Sequence, residues 1–260
     1  QDMLRLSNAF ASEAIFADEL ETSDQLDEVL TEYIIFLAQN GAASKYVADL
    51  QHQLVNSSLD RAIATRVRVK RISTLKVIEK DLELLTKQEV DSLSIFDSGF
   101  MLTAEEKWKV LKAYNQAGVI LNYSGDGEYE RETFSLNALT EFGEFVEEIK
   151  VELELNYEAT KVFNDAMQAL EAEVYAVMQK QVDRDEAAVH LALASYKLKT
   201  GSYPTKLEQL TSDDIADMPT HPLTGEAYKF VYKEPTAKQI KINRGKHPLP
   251  HLDFNLRAKS

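Results

Sequence analysis

The sequence predicts a mainly α-helical protein: a multi-helix domain followed by a small C-terminal α+β module with a short antiparallel hairpin. Three observations carry this prediction. Apolar residues recur at helical spacing through the first two-thirds of the chain. Turn residues then interrupt that spacing from Gly201 onward. Apolar residues finally alternate at Tyr228, Phe230 and Tyr232, which is typical of a strand.

The first helix is predicted from one apolar stripe, formed by Leu26, Val29, Leu30, Tyr33, Ile34 and Leu37. Thr22 and Gln25 have the spacing of a capping box at its start, and Asn40-Gly41 is expected to end it. A second box at Thr103 and Glu106 precedes another helix, for which Gly118 is the expected stop.

Two further stretches are predicted to be single helices. In 67–85 apolar residues recur at helical spacing between Ile72 and Leu85. The preceding Val67-Arg68-Val69-Lys70 alternates apolar and charged residues as a strand does, but no turn residue interrupts the region. From Ala159 to Leu198 one stripe spans some forty residues, and its one candidate break, Asp183-Arg184-Asp185, contains neither Gly nor Pro. We therefore predict one unbroken helix there, with two helices as the alternative.

The chain is predicted to divide into a helical domain, 1–155, and a second part, 156–260. The second part holds the long helix, the α+β module and an extended tail. A hairpin is expected between the strand around Tyr228 and a partner at 237–242. The tail from Lys246 is expected to lack regular structure because it carries Pro248 and Pro250.

Composition excludes several classes of function. With no cysteine among 260 residues, disulfides, thiolate metal sites and a cysteine nucleophile are excluded. No apolar run approaches the roughly 20 residues of a membrane-spanning helix. The net charge of −14 disfavours binding to nucleic acid. The sequence begins with Gln1 rather than Met, as is typical of a processed or trimmed form.

The charge is distributed unevenly. Residues 61–80 carry seven basic side chains and one acidic one, whereas 1–60 carry 11 acidic and two basic ones and 81–150 carry 15 and six. This basic belt could dock an acidic protein or lipid headgroups through Arg66, Arg68, Lys70 and Arg71. The favoured interpretation is that these four side chains neutralise carboxylates of 1–60 or 81–150.

Residues 187–232 contain the chain's one motif-like region. An Ala-rich helix ends at Gly201, which permits a left-handed C-cap with positive φ, and Tyr203-Pro204 follows. His221-Pro222 and Gly225 then form a turn ahead of Tyr228. These residues resemble the helix-to-sheet module of type II secretion pseudopilins and related bacterial envelope proteins. The resemblance implies a long helix packed on a small sheet and an envelope habitat. Pseudopilins usually have Asp where this chain has His221.

No catalytic, cofactor or metal site emerges from the residues. His247 and His251 flank two prolines and lack a third ligand, and Asp126–Glu130 lacks the spacing of an EF-hand. Acid–base catalysis needs a carboxyl held in an apolar pocket with a shifted pKa. The paired carboxylates, at 105–106, 147–148, 185–186 and 213–214, are expected on polar helix faces or caps, so none of them stands out as a catalytic candidate.

We therefore predict a non-catalytic protein of the bacterial envelope or periplasm that binds or scaffolds other proteins, with no cofactor. Two alternatives stay open. One is a carboxylate-based hydrolase with a cleft between the helical domain and the C-terminal module, and the other is a cytosolic regulatory helical protein. The identity of the partner and the oligomeric state do not follow from the sequence.

Overall fold

The computed structural model describes most of the chain. The described residues are 6–7, 9, 11, 17–39, 50–51, 54, 59–75, 84–96, 101–124, 129–130, 136–212, 214–215, 218–222, 224–231 and 251–253. Statements about absence below refer to these residues.

The protein is mainly helical, as the spacing of apolar residues predicts. The helices are α1 Ala17–Gln39, α2 Leu59–Leu75, α3 Lys87–Asp91, α4 Ala104–Asn122, α5 Leu136–Leu153 and α6 Tyr157–Thr200. Short 3-10 helices occupy Ser94–Phe96 and Leu207–Gln209. The strands are β1 Tyr123–Ser124, β2 Tyr129–Glu130, β3 Lys229–Val231 and β4 His251–Asp253, paired antiparallel as β1 with β2 and β3 with β4.

The chain forms two compact units that alternate along the sequence. One unit, called the terminal unit below, comprises Gln1–Asn8, Thr22–Ser57 and Met178–Ser260. The other, the central unit, comprises Ala9–Glu21 and Ser58–Val177. Neither coincides with 1–155 or 156–260, so that division into separately folding domains stays a prediction.

Each unit has its own apolar core. In the terminal unit, Ile34 and Ala38 of α1 pack with Leu54 and with Ala188 and Leu191 of α6. The core of the central unit is formed by fully buried side chains of α2, α4 and α6: Ile63, Val67, Leu111, Tyr114, Phe163 and Leu170. In α2, which spans Leu59–Leu75, the helix prediction for Val67–Lys70 is confirmed. Residues 76–83 of the predicted helix lie outside the described residues, and Leu85 is not helical.

Two predicted helix boundaries are wrong. Thr22 lies inside α1, which begins at Ala17, so Thr22 and Gln25 do not form the predicted start. Gly118 lies inside α4 and is buried instead of ending the helix. Its lack of a side chain makes room for Arg71 of α2, because a Cβ at position 118 would lie 2.8 Å from the Cδ atom of Arg71.

The predicted capping box at Thr103 and Glu106 is confirmed. The Glu106 amide donates to the Thr103 hydroxyl over 3.2 Å, and the Thr103 amide donates to the Glu106 carboxylate over 2.8 Å.

Helix α6 is unbroken over 44 residues, as predicted, and is therefore about 66 Å long at 1.5 Å per residue. Its predicted stripe is buried from Val162 to Leu191, whereas Leu198 is exposed. The charged triplet at 183–185 does not interrupt the helix.

The end of α6 has the predicted geometry. Gly201 has a φ of +86°, and its amide donates to the Lys197 carbonyl over 2.8 Å. Pro204 lies outside the helix and is buried. The Tyr203 ring is buried with Val189, Leu193, Leu207 and Ile215, and the Lys197 ammonium lies 4.4 Å from the centre of this ring. Tyr203 therefore covers the last turns of α6.

The turn around His221 is closed by its own backbone. The His221 amide donates to the Glu226 carbonyl and the Gly225 amide to the His221 carbonyl, each over 2.8 Å. Gly225 has a φ of +67°, which favours glycine. The His221 Nδ1 atom accepts from the Thr224 amide over 3.3 Å, so this side chain helps to hold the turn that carries Pro222.

The strands after this turn differ in part from expectation. The predicted partner strand at 237–242 lies outside the described residues. Strand β3 pairs with β4, with Phe230 opposite Leu252. The tail therefore contains a short strand, contrary to the prediction for residues after Lys246. A strand can form here because Pro250 precedes His251, and no proline lies within β4 where its amides are needed.

Candidate functional site

Helix α6 is enclosed on nearly all sides between Gln181 and Ala194. Every side chain in this stretch is buried except Asp183 and Glu186. Alanines at 187, 188, 192 and 194 are small enough to let neighbouring elements approach closely. Arg184 and Asp185 are consequently 5% and 2% exposed, and each needs a partner because an unpaired buried charge is costly.

Arg184 is paired with Asp27 of α1. Its Nη2 atom donates to both carboxylate oxygens of Asp27, over 2.6 and 2.8 Å. The Ser7 hydroxyl donates to the same carboxylate over 2.5 Å. The Ser23 hydroxyl donates to the Ser7 carbonyl over 3.1 Å. This network joins the N-terminal segment, α1 and α6.

Asp185 has a different pair of partners. Tyr228 donates to its Oδ2 atom and Gln181 to its Oδ1 atom, both over 2.7 Å. Burial raises the pKa of Asp185 to about 6, although both hydrogen bonds and the Arg184 charge oppose this rise. Burial also raises the pKa of the Tyr228 hydroxyl, which therefore stays a donor. The predicted motif residue Tyr228 thus connects the module to α6.

A third buried carboxylate, Asp214, fastens the start of the module. Lys199 donates to its Oδ1 atom over 2.7 Å, and the amide and hydroxyl of Thr211 donate to Oδ2 over 3.0 Å each. Gln51 donates to the carbonyls of Asp214 and Ala188, over 2.9 and 3.3 Å. The module is therefore held against α6 by polar contacts as well as by the apolar packing of Tyr203.

These findings correct the expectation for two of the carboxylate pairs. Asp185 and Asp214 were expected on polar faces or caps, but they are 2% and 4% exposed. Asp214 does act as a local cap, through Thr211. Both carboxylates accept a hydrogen bond from the protein itself at each oxygen, so these bonds connect neighbouring elements of the fold.

His190, which the sequence analysis did not single out, is also buried on α6, at 4% exposure. Its Nε2 atom lies 3.3 Å from Glu186, and its Nδ1 atom has no hydrogen bond among the described residues. The same residues contain no cluster of three or more potential metal ligands. His190 and Glu186 alone do not make a metal site.

The basic belt is paired in part with α6. Arg66 donates to Glu173 over 2.6 Å, and the Lys70 ammonium lies 3.4 Å from the same carboxylate. Glu173 lies outside 1–60 and 81–150, the two ranges whose carboxylates were predicted to neutralise the belt.

The other residues of the belt have different surroundings. Arg71 packs against Gly118 of α4. Arg68 is half-buried, while the side chain of Arg61 and all of Lys76 and Lys80 lie outside the described residues. Docking of a partner by the belt stays a prediction.

We expect the Arg66–Glu173 pair to contribute about 1 kcal/mol, the upper end of the range for partly exposed pairs. Both side chains are mostly buried, at 15% and 20% exposure, so solvent screens the pair less than a surface pair. A double-mutant cycle of Arg66→Gln and Glu173→Gln, measured by chemical denaturation, should give this coupling energy. A coupling near zero would show that the Arg66–Glu173 pair does not stabilise the fold.

An apolar strip lies on the solvent side of α1. Val29, Tyr33 and Phe36 are 57%, 56% and 52% exposed. They are spaced i, i+4 and i+7, so their side chains lie on one face of the helix. We call these three residues the α1 outer face. Ile34 and Ala38 point the other way, into the core of the terminal unit. The helical spacing predicts Val29, Tyr33 and Ile34 in one stripe, whereas α1 has two apolar faces.

No described helix is long and apolar enough to cross a membrane. Comparisons with models of protein families, with curated proteins and with solved structures found no match for this chain.

Proposed function

We propose that this protein is a non-catalytic component of the bacterial envelope that binds another protein through the α1 outer face. The observation that carries the proposal is the exposure of Val29, Tyr33 and Phe36 on one side of a helix whose other side is buried in the core.

Single exposed apolar residues are ordinary on protein surfaces. Three large ones at i, i+4 and i+7 make a continuous strip, which is the anchor pattern of helices that dock in grooves or against other helices. Tyrosine and phenylalanine bury a large area with few rotatable bonds, and tyrosine is enriched among residues that dominate binding energy. The α1 outer face therefore has the composition and spacing of a binding surface.

The buried polar groups support a non-catalytic role. Asp27, Asp185 and Asp214 each bond to side chains of the protein itself, on elements that they hold together. A hydrolase would need a carboxyl that reaches the substrate. The envelope habitat rests on the resemblance of residues 187–232 to pseudopilins, whose helix-to-sheet module we propose as the model for this region.

Photo-crosslinking in the cells that make the protein tests the proposal. Tyr33→p-benzoylphenylalanine places a crosslinker in the α1 outer face, and Glu144→p-benzoylphenylalanine places it on an exposed site of α5 as a control. We expect a discrete adduct with one envelope protein from position 33 and not from position 144. Absence of an adduct at position 33 would contradict binding, and an adduct with a cytosolic protein would contradict the envelope habitat.

A further inference from the structure

We infer that the partner segment that fits the α1 outer face is an amphipathic helix with apolar anchors and a row of Lys or Arg along one flank. This inference rests on the proposed function and adds the chemistry of the partner to it.

The two edges of the α1 outer face differ in charge. At 100° per residue, Glu28 and Glu32 lie about 60–100° to one side of the strip. Both are exposed. The opposite edge is formed by the half-buried leucines Leu26, Leu30 and Leu37. A partner helix laid along the strip would therefore have carboxylates beside one flank and apolar groups beside the other.

Charge complementarity determines which charge the partner helix carries on the flank beside Glu28 and Glu32. Residues 1–60 carry 11 acidic and two basic side chains, and the whole chain has a net charge of −14. Charges that flank an apolar seam between helices set partner choice and orientation. Lys or Arg on the partner would be attracted by Glu28 and Glu32, whereas Glu or Asp would be repelled.

A second copy of this chain fits the surface less well. Two copies would bring together two chains that each carry a net charge of −14. If their α1 helices paired antiparallel, the edge with Glu28 and Glu32 would face the same edge of the other copy. Like charges in that position oppose association.

The experiment uses the full chain and two designed helical peptides, stapled so that they are folded before binding. Both peptides carry leucine anchors at i, i+3 and i+7, and one flank is lysine in the first and glutamate in the second. Fluorescence anisotropy gives the dissociation constants with the wild-type chain. We expect the lysine peptide to bind about three- to tenfold more tightly at low salt, because each of two exposed pairs contributes modestly. This preference should shrink as salt rises.

Three double variants assign the effect to the surface. Tyr33→Ser with Phe36→Ser should abolish binding of both peptides, and Glu28→Lys with Glu32→Lys should reverse the preference. Glu144→Lys with Glu148→Lys is the matched control, because both residues are exposed on α5 at the same i, i+4 spacing. It changes the net charge equally and should leave the preference unchanged. All six positions are exposed, so the folded state should be retained.

Each other outcome overturns a different statement. Equal binding of both peptides, lost in the Tyr33→Ser, Phe36→Ser variant, would refute the charged flank but leave the proposed function intact. Binding that survives this variant, or no binding by either peptide up to about 1 mM, would refute both. A wild-type dimer in sedimentation experiments that becomes a monomer in the same variant would identify a second copy as the occupant and overturn the inference.

Discussion

Replacing Asp27 with alanine is expected to destabilise the protein by about 3–5 kcal/mol, the usual cost of breaking a buried ion pair. Arg184, which is 5% exposed, would lose the carboxylate that accepts two of the hydrogen bonds of its guanidinium. The Ser7 hydroxyl would lose its 2.5 Å acceptor as well. Urea denaturation followed by circular dichroism measures the change, with the loss of helix reporting on unfolding.

Two comparisons identify the cause of that loss. Asp27→Leu combined with Arg184→Met should cost clearly less than Asp27→Ala, because removing both charges leaves neither of them buried and unpaired. Glu147→Ala should cost about 0.5 kcal/mol or less, since its 2.7 Å pair with Lys150 lies on the surface and the Glu147 side chain is 75% exposed. If Asp27→Ala resembles Glu147→Ala, the Asp27–Arg184 pair does not hold α1 against α6.

The helices were predictable because their signals are local. The 3.6-residue period shows directly in the apolar residues of α6, and the capping box at Thr103 lies within four residues. The conformation of Gly201 was predictable for the same reason, because the Gly-Ser-Tyr-Pro order combines a C-cap with a residue that stops a helix. Gly118 was misjudged because its role depends on Arg71, which is 47 positions away and on another helix.

The buried charges of α6 could not be predicted from their neighbours in sequence. A triplet such as Asp183-Arg184-Asp185 is ordinarily solvated. Its burial depends on Asp27, 157 positions from Arg184, and on Tyr228, 43 positions from Asp185. The alanines that follow were the available signal, because a helix with small residues on several sides can be enclosed by its neighbours.

The apolar residues of the α1 outer face could be predicted from the sequence, but their exposure could not. Periodicity identified the apolar residues of α1 but merged two faces into one stripe. An apolar stripe on an ordinary helix is wide enough, at 100° or more, to include both Ile34 and Val29. Only the packing of Ile34 against Leu54 and Leu191 shows which side is buried and leaves Val29 and Tyr33 in solvent. The position of the acidic edge followed once that direction was known.

Replacing Asp185 with asparagine is expected to make stability less dependent on pH. Burial raises the pKa of Asp185 from its usual 3.8 to about 6, so the native state binds the proton more tightly than the unfolded state. The charged carboxylate therefore lowers stability above pH 6, and this penalty is relieved as pH falls through 6 toward 3.8. The amide oxygen of an asparagine at this position could still accept from Tyr228, and the amide has no charge to bury. The advantage of Asp185→Asn over wild type should fall by about 1.4 kcal/mol between pH 7.5 and pH 5.

Denaturation of wild type and variant at each pH gives this difference and removes the contribution of the other acidic groups, which titrate in both proteins. Tyr228→Phe provides the second measurement. Tyr228 donates to Asp185 over 2.7 Å and thereby favours the charged form, so its removal should raise the pKa of Asp185 further. When Asp185→Asn is compared with its parent in the Tyr228→Phe background, the pH-dependent fall should begin at higher pH. A difference that stays flat between pH 7.5 and 5, or that grows as pH falls, would show that Asp185 is not held in this buried, hydrogen-bonded position.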